Sequence, residues 1–240
     1  EIHERLVGSE MCIRDSDIGE GTPKERFKNN INAIKVLKQC ENENRYASKE
    51  EQEILSKYVG WGGLQDCFDA NKDNWHSEYE ELKSLLDEDE YKKARESTLT
   101  AFYTPPIVTK AIFKAIQNMG LSKGNILEPA CGIGNFMGAV PRSLENCKIY
   151  GVELDSISGR IAQQLYQKNT IAVQGYEKTD LPNAFFDVAV GNVPFGDFKV
   201  LDKKYNKNNF LIHDYFFAKT LDKVRPRRSY CIYYFKRYNG

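Results

Sequence analysis

The stretch Glu128-Pro129-Ala130-Cys131-Gly132-Ile133-Gly134-Asn135-Phe136 follows a short apolar run, Asn125–Leu127. Gly132 and Gly134 let a backbone turn sharply and approach a ligand closely, and a helix opening behind them offers N–H groups. The turn lacks the third glycine of a dinucleotide fingerprint and the Lys-Ser/Thr of a P-loop, so NAD and ATP readings lose ground. Taken alone, it is also compatible with a plain strand-to-helix turn. A second run, Lys148–Val152, ends in Glu153-Leu154-Asp155. A carboxylate there suits a pair of ribose hydroxyls, because it can accept two hydrogen bonds. The run Phe186–Val190 ends in Gly191-Asn192-Val193-Pro194-Phe195-Gly196, followed by Lys199, Lys203, Lys204 and Lys207 with Phe198 and Tyr205 among them. Lysines interleaved with aromatics can meet phosphates or a nucleic-acid strand; a flexible solvated loop reads equally well.

These residues need strands and helices to bring them together. Pro105-Pro106 starts a helix carrying Ile107, Ala111, Ile112, Ala115 and Ile116, which Gly120 ends. Helical periodicity spans Ile157–Leu165 and Phe210–Val224, and Thr170–Val173 is a further short strand. Strands alternating with helices, without hairpin turns, predict a parallel sheet with helices on both faces. In such sheets ligands bind at the carboxyl ends of the strands, where the residues above fall.

Upstream, the chain reads as helical. Thr22-Pro23 is an N-cap followed by proline at the first helical position, with Phe27, Ile31, Ile34 and Leu37 at helical spacing. Ser48-Lys49-Glu50-Glu51 fits a capping box for a second helix that Gly60 ends. Trp61, Gly62 and Gly63 form a tight turn whose tryptophan anchors a core. Ser77–Arg95 predicts one or two surface helices, with Asp87–Glu90 on a solvated face. The expected division is therefore a helical extension over 17–98 and an α/β core over 99–226.

Composition narrows the function. The 240 residues hold 34 Lys+Arg against 34 Asp+Glu, so any nucleic-acid contact rests on local patches rather than a globally basic surface. No apolar run approaches the ~20 residues of a membrane span. The six cysteines (12, 40, 67, 131, 147 and 231) show no CxxC spacing, which favours reduced thiols in a cytoplasmic protein over a disulfide or zinc framework. His213 and Asp214 are adjacent on a helix and point different ways, a poor acid/base pair.

Both ends look foreign. Residues 1–16, EIHERLVGSEMCIRDS, resemble a translated sequencing adapter. Residues 227–240 are basic and aromatic where a glycine turn and an apolar strand are expected. Codons permitted there encode such a turn and strand when read one base out of register, which points to a frameshift near Pro226. A basic nucleic-acid arm is the competing reading.

In combination, Glu-Pro-x-x-Gly-x-Gly-x-Phe, an acidic strand end and Asn-x-Pro-Phe, preceded by Phe102-Tyr103-Thr104-Pro105, resemble the S-adenosylmethionine-dependent N6-adenine DNA methyltransferases over roughly 101–224. The stretch GWGGLQ (60–65), LDSISGRIA (154–162) and HDYFF (213–217) resemble in particular the methylase domain heading the large methylase–helicase proteins of phages and conjugative elements. That resemblance implies a Rossmann-like methyltransferase fold, truncated here, with strands five to seven of the usual sheet missing or scrambled. It also implies transfer of a methyl group to an adenine N6 extruded from DNA, with no metal and with a helicase part downstream. Phe102, Tyr103 and Thr104 would hold the methionine end of the cofactor. Glu128, Pro129, Gly132, Gly134 and Phe136 would line its amino-acid and sulfonium part, Glu153 its ribose, and Glu177 or Asp180 its adenine. Asn192 and the Pro194 region would accept hydrogen bonds from the target amine while Phe195 stacks on the base; the four lysines would contact nucleic acid. Cys131 occupies a variable position of the motif, which argues against a nucleophile. Most of the family has Pro where Val193 stands, and the lost ring is expected to loosen the loop. The alternatives are a cofactor- or DNA-binding remnant without turnover, and an RNA or protein N-methyltransferase.

Overall fold

The computed structural model describes residues 21–98 and 104–226. The adapter-like segment, Phe102, Tyr103 and the basic tail from 227 onward lie outside the described residues, as do Cys12 and Cys231.

Helix starts follow the predicted caps. The Thr22 hydroxyl accepts from the Glu25 N–H, and the Glu25 carboxylate returns to the Thr22 N–H at 2.7 Å, opening α1 (Pro23–Asn42). Ser48 and Glu51 repeat that box for α2 (Lys49–Leu55). This helix stops at Leu55 rather than at Gly60, because the Ser56 hydroxyl turns back onto Glu53 O and the chain then bends to bury Tyr58 and Trp61. Ser77–Arg95 resolves into α3 (His76–Leu85) and α4 (Glu88–Ser97), the latter capped by Asp87. The acidic run before α4 is not a wholly solvated face: Glu90 is buried.

The core is the expected parallel sheet. Strands β1 (Asn125–Glu128), β2 (Lys148–Glu153), β3 (Thr170–Val173) and β4 (Val188–Ala189) lie in the order β3-β2-β1-β4, every pairing parallel. Only two residues of the predicted strand Phe186–Val190 join the ladder. Phe186 instead makes an isolated parallel bridge to Val224, whose chain leaves the last helix beside it, and its carbonyl accepts the Arg225 N–H at 2.9 Å.

Alternation along the strands separates two cores. Ile126, Ile149, Ile171, Val188 and Val190 face α5 (Pro106–Asn118) and the short α6 (Asn135–Gly138). Leu127, Val152 and Ala189 face α8 (Ile212–Lys223), with Tyr176, Tyr215 and Phe216. Ile107, at 77% exposure, does not join the buried stripe of α5, which consists of Ile112, Phe113 and Ile116.

The helices of the predicted extension pack against the α/β core through α7 (Ser156–Leu165). Helix α7 is buried on two sides: Ala162 packs toward the sheet, whereas Ile157, Ile161 and Leu165 join the core built by α1–α4. Polar contacts reinforce this seam. The Gln52 amide donates to Gln164 O, Gln164 Oε1 accepts the Ala47 N–H, and the Gln167 amide donates to Ala47 O. Trp61 is 1% exposed and packs edge-on against Phe27, Tyr58 and Phe68, the predicted core anchor.

Candidate active site

Because all four strands run in parallel, their carboxyl ends lie on one edge. In register, Glu128 lies opposite Gly151, and Glu153 opposite Val173, so the two acidic residues end neighbouring strands. The intervening turn is tied directly to β2. Cys131 N–H donates to Val152 O at 3.0 Å, and Gly132 N–H donates to Glu153 Oε2 at 2.7 Å. The third loop arrives from the other side: a side-chain carbon on Gly191 would lie 3.5 Å from Pro129 Cδ and 3.9 Å from Glu128 Cγ. Thus the Glu128–Gly134 turn, the end of β2 and the start of the Gly191–Gly196 loop meet at one place.

Glycine is required in the turn for two different reasons. Both Gly132 and Gly134 have positive φ, +56° and +89°, where other L residues are strained. At Gly134 a methyl group would also collide with the Tyr166 ring. At Gly132 it would meet no described residue within 4 Å, so the backbone there is open toward the described part of the fold. Between them, Ile133 is buried in the core of the helical extension, which seats the turn from behind.

The two carboxyls differ from ordinary surface acids. Glu128 is 1% exposed; backbone N–H groups of Phe136 and Met137 reach its carboxyl, yet Oε2 has no hydrogen-bond partner. Burial therefore pushes its pKa well above the usual range, and the nearby Glu153 adds to the rise. Glu153 accepts from Gly132 N–H and, at 2.7 Å, from Asp155 N–H; burial still outweighs these donors and raises it to about 7. Cys131 is buried beside both acids, which drives its thiol pKa up, the opposite of an activated nucleophile.

In the Asn192–Phe195 loop, Val193 is 2% exposed in the core with Leu127, Ala189 and Ile212. Burial of the valine side chain supplies an apolar anchor for the segment where the proline ring is missing. Phe195 stacks on His213 of α8, ring centres 5.2 Å apart and planes 17° from parallel. His213 Nε2 and Asp214 Oδ2 stand 3.8 Å apart, beyond a hydrogen bond.

The other predicted residues are spread around this centre. Thr104 is buried before α5, and Phe136 lies in α6 within the sheet–α5 core. Pro129 is buried between the Glu128 turn and Gly191. Glu177 sits on a short turn after β3, its carboxyl folded over Gly175, and Asp180 is exposed beyond it. The lysine segment is tied to α8 by hydrogen bonds. Tyr215 OH and Lys219 Nζ both bond Asp202 Oδ2, at 2.7 and 3.0 Å, and Tyr205 OH bonds Asp222 at 2.7 Å. Lys204 is paired with Asp222 and Lys199 bonds Asn209 Oδ1, leaving Lys203 and Lys207 exposed. Phe198 and Leu201 are exposed on the same loop, at 52% and 86%. Tyr166, whose ring lies against Gly134, shapes the turn without any local signature that marks it.

The sequence matches the N-6 DNA methylase family over residues 73–229. The chain belongs to that family. It is 31% identical over 140 residues to "Defense against restriction protein B" of Escherichia phage P1, covering 56% of this chain and 6% of that protein. To the type II methyltransferase M.CvrRI of Paramecium bursaria Chlorella virus XZ-6E it is 31% identical over 115 residues, covering 48% of this chain and 29% of that protein. The chain thus spans less than a third of the length of either relative. A putative class I S-adenosylmethionine-dependent methyltransferase from Listeria monocytogenes superposes with a TM-score of 0.46 at 18% identity, covering 88% of this chain and 72% of that one. The family's methyl donor is S-adenosylmethionine. Three features of this chain fit such a group: the unpartnered Glu128 Oε2, the open face at Gly132, and a second carboxylate at the end of β2. Among the described residues no cluster of His, Cys, Asp and Glu has the form of a metal site, and no helix is long and apolar enough to cross a membrane.

Proposed function

We propose that this domain transfers a methyl group from S-adenosylmethionine to the N6 amine of an adenine extruded from DNA. The observation that carries this reading is the meeting of the Glu128–Gly134 turn, Glu153 and Gly191, which opens the Gly191–Gly196 loop, at one sheet edge. When bound, the cofactor supplies an electrophilic methyl on a sulfonium. Glu128 Oε2 would accept a hydrogen bond from the amino-acid end, Phe102, Tyr103 and Thr104 would help hold that end, and Gly132 would let the backbone approach. Glu153 accepts from the ribose hydroxyls, with Glu177 or Asp180 toward the adenine ring.

The acceptor amine is a poor nucleophile because its lone pair is delocalised into the purine. The Asn192 side-chain oxygen and a backbone carbonyl near Pro194 accept its two N–H bonds and favour the geometry in which the lone pair points at the methyl group. Orientation of this kind is worth about 7–11 kcal/mol in favourable cases. Phe195 would stack on the base, which would offset part of the few kcal/mol that flipping costs. Exposed Lys203 and Lys207 contact phosphates, with Lys199 beside them. The 6% coverage of the phage P1 protein is in keeping with reading this chain as the methylase part of a larger polypeptide; the helicase region downstream and the cytoplasmic location rest on the family resemblance.

Titration calorimetry with S-adenosylmethionine tests the cofactor half. Gly132→Ala, which places a methyl group in the open face, is expected to weaken binding at least about tenfold, roughly one buried contact group. Unchanged affinity sinks the assignment. A labelled-methyl assay offering DNA, RNA and protein in parallel, followed by nucleoside analysis for N6-methyladenine, tests the acceptor. Label in RNA or protein alone would replace DNA as the substrate.

A further inference from the structure

The three lysines of α1 with ion pairs each have a glutamate: Lys24 pairs with Glu78, Lys35 with Glu81 and Lys38 with Glu90, at 2.6, 2.7 and 2.8 Å. Arg26, on the same helix, has no carboxylate partner among the described residues. Its Nη1 donates to Gly62 O at 3.1 Å, and its Nε is buried without a hydrogen-bond partner. A guanidinium cannot shed its charge, so a half-buried one facing only a carbonyl is under-compensated.

What it faces is the Gly60–Gly63 turn. Asn30 fixes one end, its amide donating to Gly60 O at 2.6 Å and its oxygen accepting the Val59 N–H. Gly63 fixes the other, its N–H donating to Thr98 O at 3.2 Å, which ties the turn to the chain just upstream of Thr104. Gly63 has φ +71° and is exposed, and a side-chain carbon there would come 3.7 Å from Arg26 Nη2. The missing side chain therefore leaves the guanidinium open to the surface. On the same turn, Trp61 is 1% exposed and its indole N–H also has no partner. Arg26 Nε, on α1 beside the turn, and the Trp61 indole N–H, on the turn itself, are thus two buried donors, one of them charged, without a partner among the described residues.

We propose that Arg26 and the Gly60–Gly63 turn form an oxyanion-binding site. Its ligand is a phosphate or carboxylate group, supplied either by the DNA backbone or by the cofactor's amino-acid end; those two sources rest on the function proposed above, whereas the oxyanion chemistry does not.

Inorganic phosphate, titrated at constant ionic strength and followed by amide and indole resonances, reads the site alone. The expected result is shifts centred on Gly62, Gly63 and the Trp61 indole, abolished in Arg26→Gln and in Gly63→Asp. The first variant keeps an N–H for Gly62 O and loses the charge. The second puts a carboxylate beside Arg26 at a positive φ that Asp tolerates. An absence of such shifts in the parent protein overturns the proposal, as does their persistence in both folded variants.

The source follows from two further titrations. If DNA supplies the group, Arg26→Gln lowers the slope of log affinity against log salt by about one. If the cofactor supplies it, the variant binds S-adenosylmethionine about tenfold more weakly, the scale of one charge-assisted hydrogen bond, but binds 5′-methylthioadenosine, which lacks the carboxylate, as the parent does. Phosphate-dependent shifts with neither macroscopic effect would overturn both sources. A parent that binds neither DNA nor cofactor, yet shows the phosphate shifts, would remove the proposed function and leave the oxyanion site standing.

Discussion

Glu90, at the seam between α4 and α7, and Glu128, at the end of β1, are buried to 6% and 1% exposure, and their surroundings oppose one another. Burial alone would raise both pKa values. Around Glu90 it is outweighed by Lys38, the Asp87 N–H and Arg160, so that carboxyl is held below its ordinary value. Arg160 in turn reaches Glu41 at 2.9 Å, extending the pairing from α4 through α7 to α1. Around Glu128, among the described residues, no cation is paired with the carboxyl and one oxygen has no partner, and burial raises its value. The difference separates a charge neutralised within the fold from one that a ligand would satisfy, and buried acids of the second kind mark functional sites.

The comparison is sharpest when both positions receive parallel substitutions. Glu90→Ala strands Lys38 and Arg160 at the seam, and the expected loss is about 2–3 kcal/mol, below the 3–5 of a fully buried pair because both cations still reach water. Chemical denaturation reads it, and cofactor affinity of the folded fraction should be unchanged. Glu128→Gln should leave stability unchanged or raise it by about 0.5 kcal/mol, since it removes a buried acid without breaking an ion pair. Its cost appears instead in calorimetry, as roughly tenfold weaker S-adenosylmethionine binding, the scale of a hydrogen bond to a charged group. Equal stability losses at both sites would erase the distinction.

Much of this contrast is invisible along the chain. The strands β1 and β3, the capped starts of α1 and α2 and the glycine turn are local, set by a few neighbouring residues, and they were legible. So was the shared sheet edge, which follows from parallel topology once strands alternate with helices. Glu90 was not: it lies in an acidic run that reads as solvated, and its partners Lys38 and Arg160 are 52 and 70 residues away. The two-sided burial of α7 was hidden for a related reason. Ile157, Ile161 and Leu165 make one apolar stripe, and nothing in their spacing says that the other side meets the sheet through Ala162. The partners of Val193 and Phe195 likewise depend on where α8 returns.

Acidity offers a smaller test of the same comparison. Glu153 has a folded value of about 7, above its unfolded one, so the folded state holds the proton more tightly. Its ionisation therefore lowers stability as pH rises from the unfolded value toward 7, with no further change above. A ribose that donates to the carboxylate reverses the preference, so S-adenosylmethionine affinity should increase by about tenfold from pH 6 to pH 8 and then level off. Glu153→Gln should flatten that profile. Glu90, already ionised over this range, should leave the profile of its variant parallel to that of the parent.

The smallest effect expected concerns Lys204, which resembles Glu90 in being paired and differs in being exposed. Its bridge to Asp222 is 2.6 Å long with side chains 53% and 42% exposed, so water screens it. Lys204→Gln should change stability by less than about 0.5 kcal/mol. Asp222 already attracts this ammonium, whereas Lys203 and Lys207 have no such competitor among the described residues. DNA affinity should accordingly fall less in Lys204→Gln than in Lys203→Gln or Lys207→Gln, each of which is expected to reduce the salt slope by about one. Anisotropy titrations on one duplex across several salt concentrations order the three variants. If Lys204 ranks first, pairing within the fold does not predict which charges are reserved for a ligand, and the rule drawn from Glu90 and Glu128 stops at the protein surface.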